Sequence, residues 1–262
     1  MKAIIKAIIA GSVIIGIGLI LFIAGLGLNG WRFMPEFEME QYVAEGEVTE
    51  LRIDNAVGNV KTEFYDGNKV VVDYPVSDRY VMRIEKSAGV LTLNGLNKRH
   101  WYNFSFLPPT LPETIVKIPQ SAVIKLDVKV NAGSVTLAEG KYAETSVKIN
   151  AGSIHALGIN CPSFGCEVNA GSIHVRALES QSLDCKVNAG SFNAEQILCP
   201  QIRLKVNAGS ANLKLLGEKE EYTISVDKSA GSCNVTAQTG TDDKKKININ
   251  VSAGSCNLSF SS

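Results

Sequence analysis

The residues of this chain that could do chemistry recur at a fixed separation. His155 and His174 lie 19 positions apart, and so do Cys166 and Cys185, Lys129 and Lys148, and Lys186 and Lys205. Two imidazoles on one surface could share a metal ion, two aligned thiols could bridge, and a row of ammonium groups could hold an anionic polymer. Each of these needs a scaffold that superposes residues 19 positions apart. The scaffold is therefore the first thing to establish.

Asn-Ala-Gly-Ser begins at Asn131, Asn150, Asn169, Asn188 and Asn207, with Gly133, Gly152, Gly171, Gly190 and Gly209 as its glycines. Ser-Ala-Gly-Ser follows twice, around Gly231 and Gly254. Residues flanking the tetrapeptide alternate in polarity. Val128, Val147, Cys166, Cys185 and Leu204 form one apolar column, and Val130, Ile149, Val168, Val187 and Val206 form another. Lys129, Lys148, Glu167, Lys186 and Lys205 stand between them. Apolar residues resume after the glycine as Val135, Ile154, Ile173, Phe192, Ala211, Cys233 and Cys256. Alternation with period two is the signature of a half-buried strand. Each repeat reads as strand, tight Ala-Gly-Ser corner, strand and return. One unit cannot bury its own apolar face, whereas parallel stacking at about 4.8 Å makes a continuous core. The expected fold is an all-β parallel solenoid with a ladder of Asn amides at its corners.

Asn55-Ala56-Val57-Gly58 and Ser87-Ala88-Gly89-Val90 read as fainter corners of the same solenoid. Between the second and the regular repeats lies an insertion, 98–120, with Trp101, Tyr102, Phe104, Phe106 and several prolines. Ahead of the solenoid, Ala7 to Leu28 form 22 residues without a charge, long enough to span a hydrocarbon core of about 30 Å as a helix. Lys2 and Lys6 precede this run and Glu36, Glu38 and Glu40 follow it, which places the N-terminus in the cytoplasm and the remainder outside. A cleavable secretory core is shorter, at about 7–15 residues. The expected organisation is a cytoplasmic tip and membrane helix over 1–28, a linker over 29–46, an irregular first part of the solenoid over 47–120, and regular repeats over 121–262.

The anchor, the Thr110-Leu111-Pro112 segment and the serial Val-x-Val-Asn-Ala-Gly-Ser-Val-x-Leu units resemble the bacterial putative-adhesin family of β-strand-repeat proteins, over roughly 47–262. The resemblance implies a right-handed β-solenoid and an adhesive role at the cell envelope. It supplies no catalytic residues.

On such a scaffold the chemistry thins out. Cys166 with Cys185, and Cys233 with Cys256, would share columns otherwise filled by apolar residues, so cysteine reads as a small core filler. In-register side chains point the same way, which makes a bridge torsionally awkward, so the expectation is core thiols. Cys161 and Cys199 stand two rungs apart, too far to bond. His155 and His174 belong to an outward polar column with Thr136, Asn193, Asn212, Asn234 and Asn257, and no carboxylate or thiol partner is evident for a metal. The lysine column, Lys129, Lys148, Lys186 and Lys205, could bind an anionic wall polymer, although a solvated strand face is its commoner meaning. Glu139, Glu144, Glu179, Asp184 and Glu195 are scattered acids and form no evident pair for glycoside cleavage. Leu111-Pro112-Glu113-Thr114 imitates a sorting signal but lies mid-chain with Ile115 behind it. Net charge is zero, with 26 basic and 26 acidic residues, which argues against nucleic acid. No cofactor, metal or catalytic residue is expected. The expected partners are the membrane, an envelope protein or wall polymer, and another copy of the chain, because the last rung, 252–260, would leave a sheet edge open. Two functions follow: an adhesin-like interaction or scaffold module, or a regulatory envelope component acting through its anchor.

Overall fold

The computed structural model describes residues 18, 20–21, 37–77, 80–97 and 112–261. The expected anchor, apart from Gly18, Ile20 and Leu21, lies outside them, as do Trp101, Tyr102, Phe104 and Phe106. Gly18, Ile20 and Leu21 are helical, and both apolar side chains are exposed. Among the described residues no helix is long and apolar enough to cross a membrane.

The described chain is almost entirely strand. The first part holds β1 (Glu38–Val43), β2 (Glu50–Tyr65), β3 (Val71–Val76), β4 (Tyr80–Ser87), β5 (Val90–Asn97) and β6 (Thr114–Pro119). The regular repeats supply β7 (Lys125–Leu137), β8 (Gly140–Lys141), β9 (Glu144–Ile149), β10 (Ser153–Ala156), β11 (Ile159–Val168), β12 (Ser172–Val187), β13 (Ser191–Leu198), β14 (Gln201–Val206) and β15 (Ser210–Leu216). The last part holds β16 (Thr223–Lys228), β17 (Ser232–Cys233), β18 (Lys246–Val251) and β19 (Ser255–Ser261).

In the middle, chain order is stacking order. One face runs β7, β9, β11, β12 and β14, parallel and in register, so that Val128, Val147, Cys166, Cys185 and Leu204 superpose. The face beyond the glycine corner runs β7, β10, β12, β13 and β15, and it superposes Val135, Ile154, Ile173, Phe192 and Ala211. A shorter third run, Gly140, Ile159, Leu178, Ile197 and Leu215, closes the coil. The inward columns form one continuous buried cluster. Where a large residue occurs a small one can lie against it, as Phe192 lies against Ala211, which keeps the packing dense.

At both ends chain order and stacking order part. β2 stacks directly on β7 although 59 residues separate Tyr65 from Lys125, with Gly58 opposite Gly133. The rung made of β5 and β6 lies on the outer side of β2, so the earlier segment is the inner one. β4 covers β5 and β3 covers β6, both antiparallel, and β1 covers β3. The other end mirrors this. β18 and β19 stack on β14 and β15, and the rung of β16 and β17, earlier in sequence, lies outside them.

Three expectations change as a result. Residues 38–43, read as linker, form β1. Ser87-Ala88-Gly89-Val90 is not a solenoid corner but the turn of the β4–β5 hairpin. Ala88 and Gly89 have φ of 48° and 81°, the left-handed pair that a two-residue hairpin turn demands. The edge expected along 252–260 is closed only in part: β15 lies along one side of β19, whereas on the other β17 pairs with Ser255 and Cys256 and the Asn234 side chain takes the Leu258 amide and carbonyl. The outermost strand there is β16, and the chain folds back on it. Ile224 and Gln238 exchange both backbone hydrogen bonds, at 2.9 and 3.0 Å, and the Gln238 amide donates to the Lys219 and Tyr222 carbonyls. A strand edge answered in this way is a poor template for a second copy.

Candidate functional site

The corner comes first, because it sets every column. A Cβ placed on Gly190 would lie 2.1 Å from the Gly171 carbonyl oxygen, and one on Gly152 would lie 2.1 Å from that of Gly133. Gly152 also has φ of 114°. The column Gly58, Gly133, Gly152, Gly171, Gly190, Gly209, Gly254 and Gly231 is thus a line of backbone-on-backbone contact with no room for side chains. Beside it runs the amide ladder. Asn150 donates to Asn131 at 2.6 Å, Asn169 to Asn150 at 2.7 Å, Asn188 to Asn169 at 2.6 Å and Asn207 to Asn188 at 2.6 Å. Each amide gives a hydrogen to one rung and takes one from the next, which satisfies a half-buried polar group at every corner.

The lysine column is not an unbroken cationic stripe. Lys129 lies 3.3 Å from Asp54, a partner from the threaded first rung, and Glu167 receives Lys148 at 2.7 Å and Lys186 at 3.5 Å. The hydrogen bond from Lys148 holds the Glu167 carboxyl below the usual carboxylate range, against the opposing effect of partial burial. The neighbouring column is compensated too, by Arg52 with Asp127 at 3.4 Å and Arg203 with Asp184 at 2.7 Å. Lys205 faces Asn250 across the next rung.

On the face beyond the corner, His155 and His174 are in register with ring centroids 6.2 Å apart. Contrary to the sequence reading, His174 has a carboxylate partner, Glu195, at 3.2 Å. Among the described residues no group of three or more His, Cys, Asp or Glu side chains could hold an ion. The column continues as a second amide ladder, Asn212 to Asn193 at 2.7 Å and Asn257 to Asn212 at 2.8 Å. Asn234 departs from it. Its amide donates to the Leu258 carbonyl and accepts from the Leu258 amide, both at 2.8 Å, filling the place of a strand residue where β17 stops. A groove of about 510 Å³ lies over this ladder, with Glu195, Lys214 and Ser259 on its margins.

The cysteines divide. Cys166 and Cys185 form a disulfide between adjacent rungs, with Cα atoms 4.6 Å apart, which corrects the expectation of core thiols there. The close in-register approach of parallel strands brings the two Cα atoms within disulfide range. Cys161, Cys199, Cys233 and Cys256 are thiols. Burial pushes Cys161 up and Cys199 up to about 11, which suits inert core residues. Cys161 is stacked on Ser180, so a rung does separate it from Cys199.

The five scattered acids each have a partner. Glu139 meets Arg176 at 3.6 Å, Glu144 meets Lys125 at 2.9 Å, Glu179 accepts from Asn160 at 2.6 Å, and Asp184 and Glu195 are bound as described above. Glu144 with Lys125, Glu179 with Asn160 and Asp184 with Arg203 each lie one 19-residue repeat apart, so the period itself carried the signal for these pairs.

A parallel β-solenoid with glycine corners, amide ladders and charge-compensated faces is a repeat scaffold. The chain belongs to the Toastrack DUF4097 family, whose model matches residues 48–262. Solved structures similar to it include a putative adhesin from Parabacteroides merdae (11% identity, 85% of this chain and 96% of that one, TM-score 0.46). Others are a putative lipid binding protein from Parabacteroides distasonis (11%, 84% and 96%, 0.48) and a putative cell adhesion protein from Clostridium sporogenes (12%, 86% and 100%, 0.40). No curated protein matches the chain.

Proposed function

We propose that this chain is a non-catalytic interaction or scaffold module of the cell envelope, held by one N-terminal membrane helix with its solenoid outside the cytoplasm. The observation that carries this reading is the state of the outward polar groups. Carboxylates, lysines and amides on both broad faces are tied to one another across rungs, an arrangement that makes a rigid surface for display. Glycoside cleavage needs two carboxyl groups flanking the bond, with the general acid kept protonated. Here the acids meet bases and amides instead.

The anchor reading rests on the 22 uncharged residues from Ala7 to Leu28 and on the charges that flank them. β1 begins ten positions after Leu28 and is the outermost strand of its face. An anchor ahead of β1 would hold the solenoid by one end of the stack, which supports display of its broad faces.

The test compares pull-downs from detergent-solubilised membranes by the full chain and by a chain lacking residues 1–36. The cut falls before β1, so the fold is spared. A partner or wall polymer retained by the shortened chain supports the solenoid as the binding surface. Loss of every partner with residues 1–36 replaces this reading with a regulatory one, in which the anchor makes the contacts.

A further inference from the structure

Cys233 and Cys256 stand in the same relation as the bonded pair. Cys166 and Cys185 are in-register partners on adjacent parallel strands, and so are Cys233 and Cys256. Cys256 is fully buried in the inner rung, whereas Cys233 is half-buried in the outer one. We infer that Cys233 and Cys256 are the site of a second inter-rung disulfide, made by exchange with an external disulfide, which locks the threaded terminal rung to the rung outside it.

The accessible sulfur must react first. The Cys233 thiolate attacks one sulfur of the oxidant disulfide, forms a mixed disulfide and expels one thiolate, which takes up a proton. Cys256 then loses its proton and attacks the Cys233 sulfur, releasing the second oxidant thiol. Two thiols of the protein lose two electrons and two protons, and one external disulfide becomes two thiols. Burial, reinforced by the neighbouring Cys233, raises the Cys256 thiol well above its usual range, so Cys256 is suited to the second, intramolecular step.

Location decides what the bond does. The first disulfide joins two middle rungs that the chain already joins by a short return. The second would join β17 to β19, whose connection runs through the lysine-rich segment Asp242–Lys246. A protease cut in that segment would free the terminal rung of a reduced chain but not of an oxidised one.

In the cell, this bond rests on the extracytoplasmic placement proposed above; in the purified protein it does not. The full chain in detergent is equilibrated with oxidised glutathione, unfolded, alkylated and digested for peptide mapping. The expected result is a linked pair of peptides carrying Cys233 and Cys256, with alkylation falling from the four thiols Cys161, Cys199, Cys233 and Cys256 to Cys161 and Cys199 alone. Cys256→Ser should stall with glutathione on Cys233. Trypsin cleavage at Lys244–Lys246 should leave the terminal fragment attached on a non-reducing denaturing gel. Alkyl label on both Cys233 and Cys256 while Cys166 and Cys185 remain linked would overturn the inference. Formation of the bond in glutathione, with both pairs reduced when cells are alkylated intact, would uphold the inference and overturn the placement.

Discussion

The middle of this solenoid and its two ends are built from the same corner and alternating strands, yet they are assembled differently. Between β7 and β15 every rung stacks on the one before it in sequence, and the contacts span about one repeat. At the ends the inner rung is the one nearer the terminus in sequence, β2 at one end and β18 with β19 at the other, each clasped by a rung lying further inside the chain, while β1, ahead of β2, covers the outside. A stack made only of local steps would fray from its ends, because a terminal rung has a neighbour on one side alone. Threading gives each terminal segment two neighbours. The outermost positions go to strands that are shortened, antiparallel or folded back upon, all of which blunt an edge.

The widest separation between the two regimes comes from deletions of similar size. Removing Asn188–Val206, one whole repeat, joins Val187 to Asn207 in register and should leave a shorter, cooperatively folded solenoid. Removing 246–262 takes away the shared neighbour of β14 and β16 and should abolish soluble folded protein, as read by circular dichroism and size-exclusion chromatography. Equal tolerance of the two would show that the threaded rung is only an appendage.

Within the middle, Gly190→Ala drives a methyl group to 2.1 Å from the Gly171 carbonyl oxygen and 2.5 Å from Val168 Cγ1, so backbone of the adjacent rung must give way. A loss of about 4 kcal/mol is expected, of the order seen for overpacking with added backbone displacement. Gly165→Ala, on a strand with nothing within 4 Å of the new methyl, should fall within about 0.5 kcal/mol of the parent. Chemical denaturation of the pair measures how far the corner, and not glycine content in general, sets the stacking distance.

Much of this was legible in the sequence. The period of 19, the alternation and the Asn-Ala-Gly-Ser corner define the middle rungs, their inward columns and the amide ladder. Rung order at the ends was not legible. A corner motif says that a segment forms a rung but carries no information about which rung it lies against. Gly58 and Gly89 looked alike in sequence, yet one sits under Gly133 and the other turns a hairpin. The pairing of Lys129 with Asp54 stayed hidden for the same reason. The disulfide was missed because parallel register was taken to align the thiols unfavourably, while the closeness of the backbones proved decisive.

Smaller effects test the ladders. Asn169→Ala removes the hydrogen bonds to Asn150 and from Asn188 together, at about 1 kcal/mol each. For a domain of this size a fall in Tm of about 4–8 °C should follow. Asn234→Ala leaves the Leu258 amide and carbonyl without their partner at the end of β17, and it should speed amide exchange in β19 without affecting β12. The smallest expected effect is Glu167→Gln, which unpairs Lys148 and Lys186 at a cost of at most about 1 kcal/mol that salt diminishes. Because the Glu167 carboxyl is held below its unfolded value, its contribution is complete above about pH 4.3 and disappears as pH falls through the lowered folded value. The variant should lose that part of the acid dependence.

The paired locks also make height an adjustable dimension. Among the described strands, β2 pairs inward with β7 alone and β18 and β19 pair inward with β14 and β15 alone, so the number of units between them is free to change while both closures persist. Each duplication of a 19-residue unit would raise the outer tip by about 4.8 Å, and each loss would lower it by as much. With the solenoid anchored as proposed above, variation in copy number would set how far from the bilayer the last face is held, one rung at a time, as a ruler is read.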